Sequence, residues 1–146
     1  MVNIAGPTLI LWLHIVAACI WIGGQVTVAA IIPLLRGQRD LARRVGRRYQ
    51  LIAWPAFAVL IVTGVVNVGN AGVRWSQLLD SAAGRTLAIK LAFVALSGIA
   101  AGAHSVLQAP RQRGGDGSVV GSAVLGSISL VAALLAALYG VAIAGA

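Results

Sequence analysis

Long apolar stretches alternate with short polar ones along the chain, and their lengths set the reading. The first runs from about Thr8 to Leu35, introduced by Pro7 and interrupted only by His14, Gln25 and the pair Gly23-Gly24. The second covers about Tyr49 to Val68, with Pro55 placed to kink it, because proline removes a backbone donor and crowds the preceding turn. A third covers about Thr86 to Leu107, ended by Pro110, and a fourth covers about Ser118 to Ala144. A helix needs roughly 20 apolar residues to cross the hydrocarbon core, so each stretch predicts a transmembrane helix. Residues 69–85 carry Asn70, Gly72, Arg74, Trp75, Ser76, Gln77, Asp80 and Ser81, and so leave the bilayer. Trp75 and Leu78-Leu79 predict a short helix lying at the interface, where aromatic rings settle.

The expected fold is therefore all-α: one integral membrane domain over residues 1–146, a four-helix bundle with spans at about 8–35, 49–68, 86–107 and 118–144. Composition agrees, with 60% hydrophobic residues, 10% charged and a mean hydropathy of +0.95, so lipid must be the solvent for most of the surface. The N-terminal apolar run lacks a basic leader and outruns the ~7–15 residues of a signal-peptide core, so it is expected to stay as the first span. The lone Cys19 rules out an intrachain disulfide and a CxxC motif. It lies five residues past His14, turned roughly 140° around the helix, and reads as a small core hydrophobe.

Charge adds an orientation. The net charge is +8 and the pI near 11.6, but the basic residues are all arginine save one and lie beside the spans, which points to anionic lipid headgroups and not to nucleic acid. The first connection carries Arg36, Arg39, Arg43, Arg44, Arg47 and Arg48 against Asp40, and the third adds Arg111 and Arg113. The second has only Arg74 and Arg85. Because positive loops stay in the cytoplasm, both termini are expected on the outer side of a bacterial-type inner membrane. Arg43, Arg44, Arg47 and Arg48 are expected to touch lipid headgroups, and positions 36, 39, 43 and 47 share one helical face, as in a first span that continues out of the bilayer as a basic helix.

Small residues suggest how the helices pack. Ser97, Gly98, Gly102 and Ser105 form one ridge, and Ser118, Ser122 and Gly126 another, of the kind that lets helix backbones approach in lipid. They read mainly as intrachain contacts, with a homodimer or a larger membrane partner left open.

Polar groups at membrane depth cost free energy unless paired or hydrated, so function should concentrate there. They are His14, Gln25, Thr63, Asn67, Lys90, His104, Gln108 and Tyr139. Counted along the spans, His14, Thr63, Asn67, Lys90 and Tyr139 fall at the outer level, and Gln25, His104 and Gln108 at the inner one. Two histidines raise a bis-histidine haem site, but their depths differ by roughly 15–20 Å at a rise of ~1.5 Å per residue, so they should not share one iron. Each is either a neutral imidazole donating to a neighbouring helix or a ligand group, and His14 is the candidate metal ligand. Lys90 either snorkels to the surface or lines a hydrated cavity. No carboxylate lies at depth, which excludes catalysis by a carboxylate pair.

The motifs resemble a known family. The run 13–24, Leu-His-Ile-Val-Ala-Ala-Cys-Ile-Trp-Ile-Gly-Gly, is similar to the first helix of the copper resistance protein D (CopD) family. So are Arg47-Arg48-Tyr49 followed by Val62-Thr63-Gly64-Val65-Val66-Asn67, and Gly84-Arg85-Thr86 followed by the run 90–96 that Lys90 opens. The resemblance implies a four-helix membrane module of copper uptake or tolerance, with His14 and Lys90 as its functional positions. One methionine and one cysteine leave few soft ligands, so a histidine site suits Cu(II) better than Cu(I). A weaker resemblance, carried by the first-helix histidine, Lys90 and His104, is to the HemJ-type protoporphyrinogen oxidases, and it implies haem b and an oxidoreductase. The third reading is a structural subunit packing against a larger membrane complex.

Overall fold

The computed structural model describes residues 5–35, 37–73, 75–112 and 119–144. Arg36, Arg74, Arg113 and Ser118, named above, lie outside them. The described residues form four long helices, α1 (Gly6–Ile31), α2 (Arg39–Asn70), α3 (Ala82–Gln112) and α4 (Val119–Ala144), and no strand. All four are long and apolar enough to cross a membrane, and the protein is an all-α, multi-pass membrane protein. Two compact units divide the chain, Met1–Gln77 and Leu78–Ala146, so α1 pairs with α2 in one hairpin and α3 with α4 in another.

The first hairpin begins at Pro7, whose missing N–H costs nothing in an opening turn. Pro33 cannot donate to the carbonyl four residues back, and the α-helical ladder gives way to a 3-10 turn over Ile32–Leu35. A tight turn follows: the Gln38 N–H donates to the Leu35 carbonyl (2.9 Å), and Gly37 takes a φ of 94°, which favours glycine. Then α2 starts at Arg39, ten residues before the expected span. The basic helix thus belongs to the second span and does not extend the first. Arginine, leucine and alanine are good helix formers, and Asp40 in the first turn suits the positive end of the helix. At ~1.5 Å per residue its 32 residues reach about 48 Å, well beyond the hydrocarbon thickness, and the helix runs on through Pro55. Its end is a Schellman cap: Val73 N–H donates to the Val68 carbonyl (3.4 Å), Gly72 N–H to Gly69 (3.0 Å), and Gly72 has a φ of 70°.

In the segment expected at the interface, Trp75–Gln77 form one 3-10 turn and Trp75 is exposed. The second hairpin opens with a serine cap. Ser81 Oγ accepts from the Gly84 N–H (3.0 Å), and a side chain at position 84 would collide with the Leu78 carbonyl. Contrary to expectation, α3 passes Pro110 and ends at Gln112; a proline this close to a helix end removes one backbone bond without ending the last turn.

Both hairpins bury mainly small residues, with Trp21, Val68 and Leu87 as larger exceptions, and expose many large ones. Ala17, Ala53, Ala56, Ala100, Ala132, Ala133 and Ala136 are buried, as are Thr63, Ser97, Ser122 and Ser129, while Trp12, Leu51, Ile99, Leu138 and Val141 are exposed. This is the pattern of helices that associate by close backbone approach in lipid. Cys19 is exposed, against its expected place in the core. It stands two residues from both Ala17 and Trp21, which are buried, so it points to the opposite side of α1.

Candidate functional site

In the first hairpin, α1 carries His14 against α2. Its Nδ1 lies 2.9 Å from Thr63 Oγ1. Thr63 is 3% exposed, and its hydroxyl also lies 2.6 Å from the Val59 carbonyl of its own helix. Gly64 lies beneath the ring: a methyl group built there would stand 3.4 Å from His14 Cε1, in ordinary van der Waals contact. Of the Thr-Gly pair, Thr63 bonds the imidazole and Gly64 packs against it. Asn67 lies one turn further along α2, half-buried, and its backbone carbonyl accepts the capping Ala71 N–H (3.0 Å).

Further along the same hairpin the chemistry is structural. Trp21 packs against Phe57 (ring centroids 4.4 Å apart) and Trp54 (5.9 Å), and its carbonyl accepts from both Tyr49 Oη and Gln25 Nε2, each at 3.2 Å. Gly24 lies directly under the Tyr49 ring, with no space for a side chain. Gln25 is held by its own helix and is not brought to His14.

The second hairpin holds the other candidates. Lys90, half-buried, extends from α3 across Gly140 of α4; its Nζ would stand 3.0 Å from a methyl group there. Beside it Phe93 and Tyr139 pack with ring centroids 5.7 Å apart. Deeper, Ser97 Oγ donates to the Ser129 carbonyl and Ser129 Oγ to the Ser97 carbonyl, both at 2.9 Å, clasping the helices where both residues are 1% exposed. His104 Nδ1 lies 2.6 Å from the Ser122 carbonyl and 3.2 Å from Ser122 Oγ. Gln108 Nε2 donates to Ser122 Oγ (2.8 Å) and lies 3.4 Å from His104 Nε2.

The outer level inferred from sequence thus divides between the hairpins, His14 with Thr63 in the first, and in the second Lys90 over Gly140 with Tyr139 packed on Phe93. His104 and Gln108 come together as expected, through Ser122. The arginine run fans around α2, with Arg44, Arg47 and Arg48 exposed and Arg43 partly covered and paired to Asp40 at 3.6 Å. Sequence reasoning passed over Ser129, although Ser122, Gly126 and Ser129 continue one ridge at spacings of four and three.

Residues 43–144 match the family described as copper resistance protein D. That is well over half of the sequence. The chain belongs to the copper resistance protein D family. No curated protein matches it, and no solved structure does. This CopD-family chain is a multi-pass membrane protein related to copper resistance. The matched part contains Thr63, Asn67, Lys90, His104 and Tyr139 and begins after α1, so the CopD likeness of the His14 helix rests on the sequence pattern quoted above.

Proposed function

We propose that this CopD-family protein takes copper as its cargo in a bacterial inner membrane, with His14 as the copper ligand. The observation that carries the reading is the His14–Thr63 bond, 2.9 Å between two membrane helices. Metal-binding histidines are commonly steered by a hydrogen bond at the ring nitrogen that does not touch the metal. Both termini face outward in this reading, which puts His14 at the periplasmic level, and the arginines at the start of α2 meet anionic headgroups on the cytoplasmic side.

The donor set bears on the kind of binding in this reading. Among the described residues no group of three or more histidine, cysteine, aspartate or glutamate side chains gathers at one point. One imidazole suits passing cargo that keeps water or carrier ligands. Imidazole without sulfur neighbours favours Cu(II). The haem reading would engage His104 Nε2, which faces the Gln108 amide at 3.4 Å in a network that ties α3 to α4.

Copper flux into proteoliposomes tests the proposal. Wild-type protein should carry Cu(II) across the bilayer and His14→Ala should fall to the rate of empty vesicles; equal flux in the two would remove His14 from the path. A Soret band in the purified protein would favour haem over copper.

A further inference from the structure

Arg44, Arg48, Leu51, Pro55, Ala58 and Val62 are all exposed and follow one another at spacings of three and four, so they form a single stripe along α2. Ala53, Ala56 and Thr63 lie on the other side of the helix and are buried, with Thr63 bonded to α1. The stripe therefore faces away from α1. Its character changes once along its length. At the basic end Arg43 is partly covered and pairs with Asp40 at 3.6 Å, which leaves the exposed guanidinium groups of Arg44, Arg47 and Arg48 as net positive charge within about one turn. From Leu51 to Val62 the stripe is apolar, and at ~1.5 Å per residue those eleven steps cover about 17 Å, close to the depth of one leaflet of a ~30 Å hydrocarbon core. A water-soluble anion would use only the first part of this surface, and an uncharged lipid only the second. An anionic phospholipid uses both.

We infer that this face of α2 seats one anionic phospholipid of the cytoplasmic leaflet, its phosphate held by Arg44, Arg47 and Arg48 and an acyl chain laid along Leu51, Pro55, Ala58 and Val62. The inference deepens the reading that the start of α2 meets anionic headgroups and rests on it; His14 and copper play no part. Arginine suits the task, because its planar fork meets a phosphate through two parallel hydrogen bonds. A topology signal alone counts every arginine alike, whereas a lipid site needs Arg44, Arg47 and Arg48 and is indifferent to Arg43, which Asp40 already holds.

The experiment titrates the full chain, purified in a neutral detergent, with phosphatidylglycerol or with phosphatidylcholine of the same chains, and counts bound lipid by native mass spectrometry. Wild type should bind one phosphatidylglycerol well ahead of phosphatidylcholine; equal affinity for the two would overturn the inference. A basic residue near a lipid surface contributes about a fivefold factor, so Arg44→Gln, Arg47→Gln and Arg48→Gln together should weaken phosphatidylglycerol binding by roughly 100-fold, and Arg43→Gln by less than about twofold. Equal losses in Arg43→Gln and Arg44→Gln would show attraction to net charge without a site, and would overturn it. Glycerol phosphate, a headgroup without chains, should leave the lipid bound; displacement by it would overturn the apolar half of the stripe. Where the triple variant does not fold, Arg44→Lys with Arg48→Lys keeps the charge and should still lose affinity, because lysine lacks the fork; wild-type affinity there would overturn the part given to the guanidinium groups. Labelling of Gln38→Cys, in a Cys19→Ser background, separates this inference from the reading beneath it. Labelling from the cytoplasmic side beside an absent lipid preference would overturn the site and leave the orientation standing. Labelling from the outer side beside a kept preference would overturn the cytoplasmic leaflet as the source of the lipid.

Discussion

His14 and His104 each sit between two membrane helices and each have Nδ1 turned to a partner on the other helix, yet the partners differ in kind. His104 gives its proton to the Ser122 backbone carbonyl at 2.6 Å, while Gln108 bridges from the Ser122 hydroxyl to within 3.4 Å of Nε2. The ring is one link in a closed loop within its own hairpin. His14 meets a side-chain hydroxyl that also bonds a carbonyl of its own helix, while both rings rest over a glycine of the facing helix, Gly64 for His14 and Gly126 for His104. A histidine that staples helices needs an acceptor that cannot turn away, as His104 has. In the proposed reading His14 meets copper instead, so two residues of one type would do different work.

Four experiments would break or sharpen this contrast. The largest effect is expected of His14→Ala, which should abolish Cu(II) binding in isothermal titration yet leave thermal unfolding close to wild type. Next is Gly24→Ala, which drives a methyl group into the Tyr49 ring; overpacking of this kind costs about 1–3 kcal/mol and should lower the detergent melting temperature, with Tyr49→Leu restoring it. His104→Ala leaves Ser122 and Gln108 to re-pair, and should cost about 1–2 kcal/mol in unfolding while Cu(II) affinity stays at the wild-type value. The smallest is the Ser97–Ser129 clasp. A double-mutant cycle of Ser97→Ala and Ser129→Ala should give a coupling of about 0.6 kcal/mol and no more than ~1.7, because hydrogen bonds between membrane helices are replaced by others in the unfolded reference state.

Much of the fold was legible in apolar run length, since crossing lipid fixes a minimum span and each of the four stretches meets it. Element boundaries were not. Hydropathy reports which residues tolerate lipid, and Arg39–Arg48 are helical without tolerating it, so the first third of α2 was invisible to that test. Pro110 misled in the other direction, because a proline bars one hydrogen bond and this helix had only two residues left to run. At the candidate site, counting depth along the spans grouped His14 with Thr63 and His104 with Gln108. Which side of a helix faces its neighbour was not readable, because apolar residues surround every span and leave a weak amphipathic signal. Hence Cys19 was assigned to a core it does not enter, and Ser129 went unnoticed on a ridge whose other members had been seen.

The central claim is that one histidine is a copper ligand and the other a helix staple. Cu(II) binding at equilibrium, titrated side by side on wild type, His14→Ala and His104→Ala in one detergent, addresses it most directly. The account predicts Cu(II) binding by the wild type and by His104→Ala and none by His14→Ala. Binding kept by His14→Ala and lost from His104→Ala would contradict it.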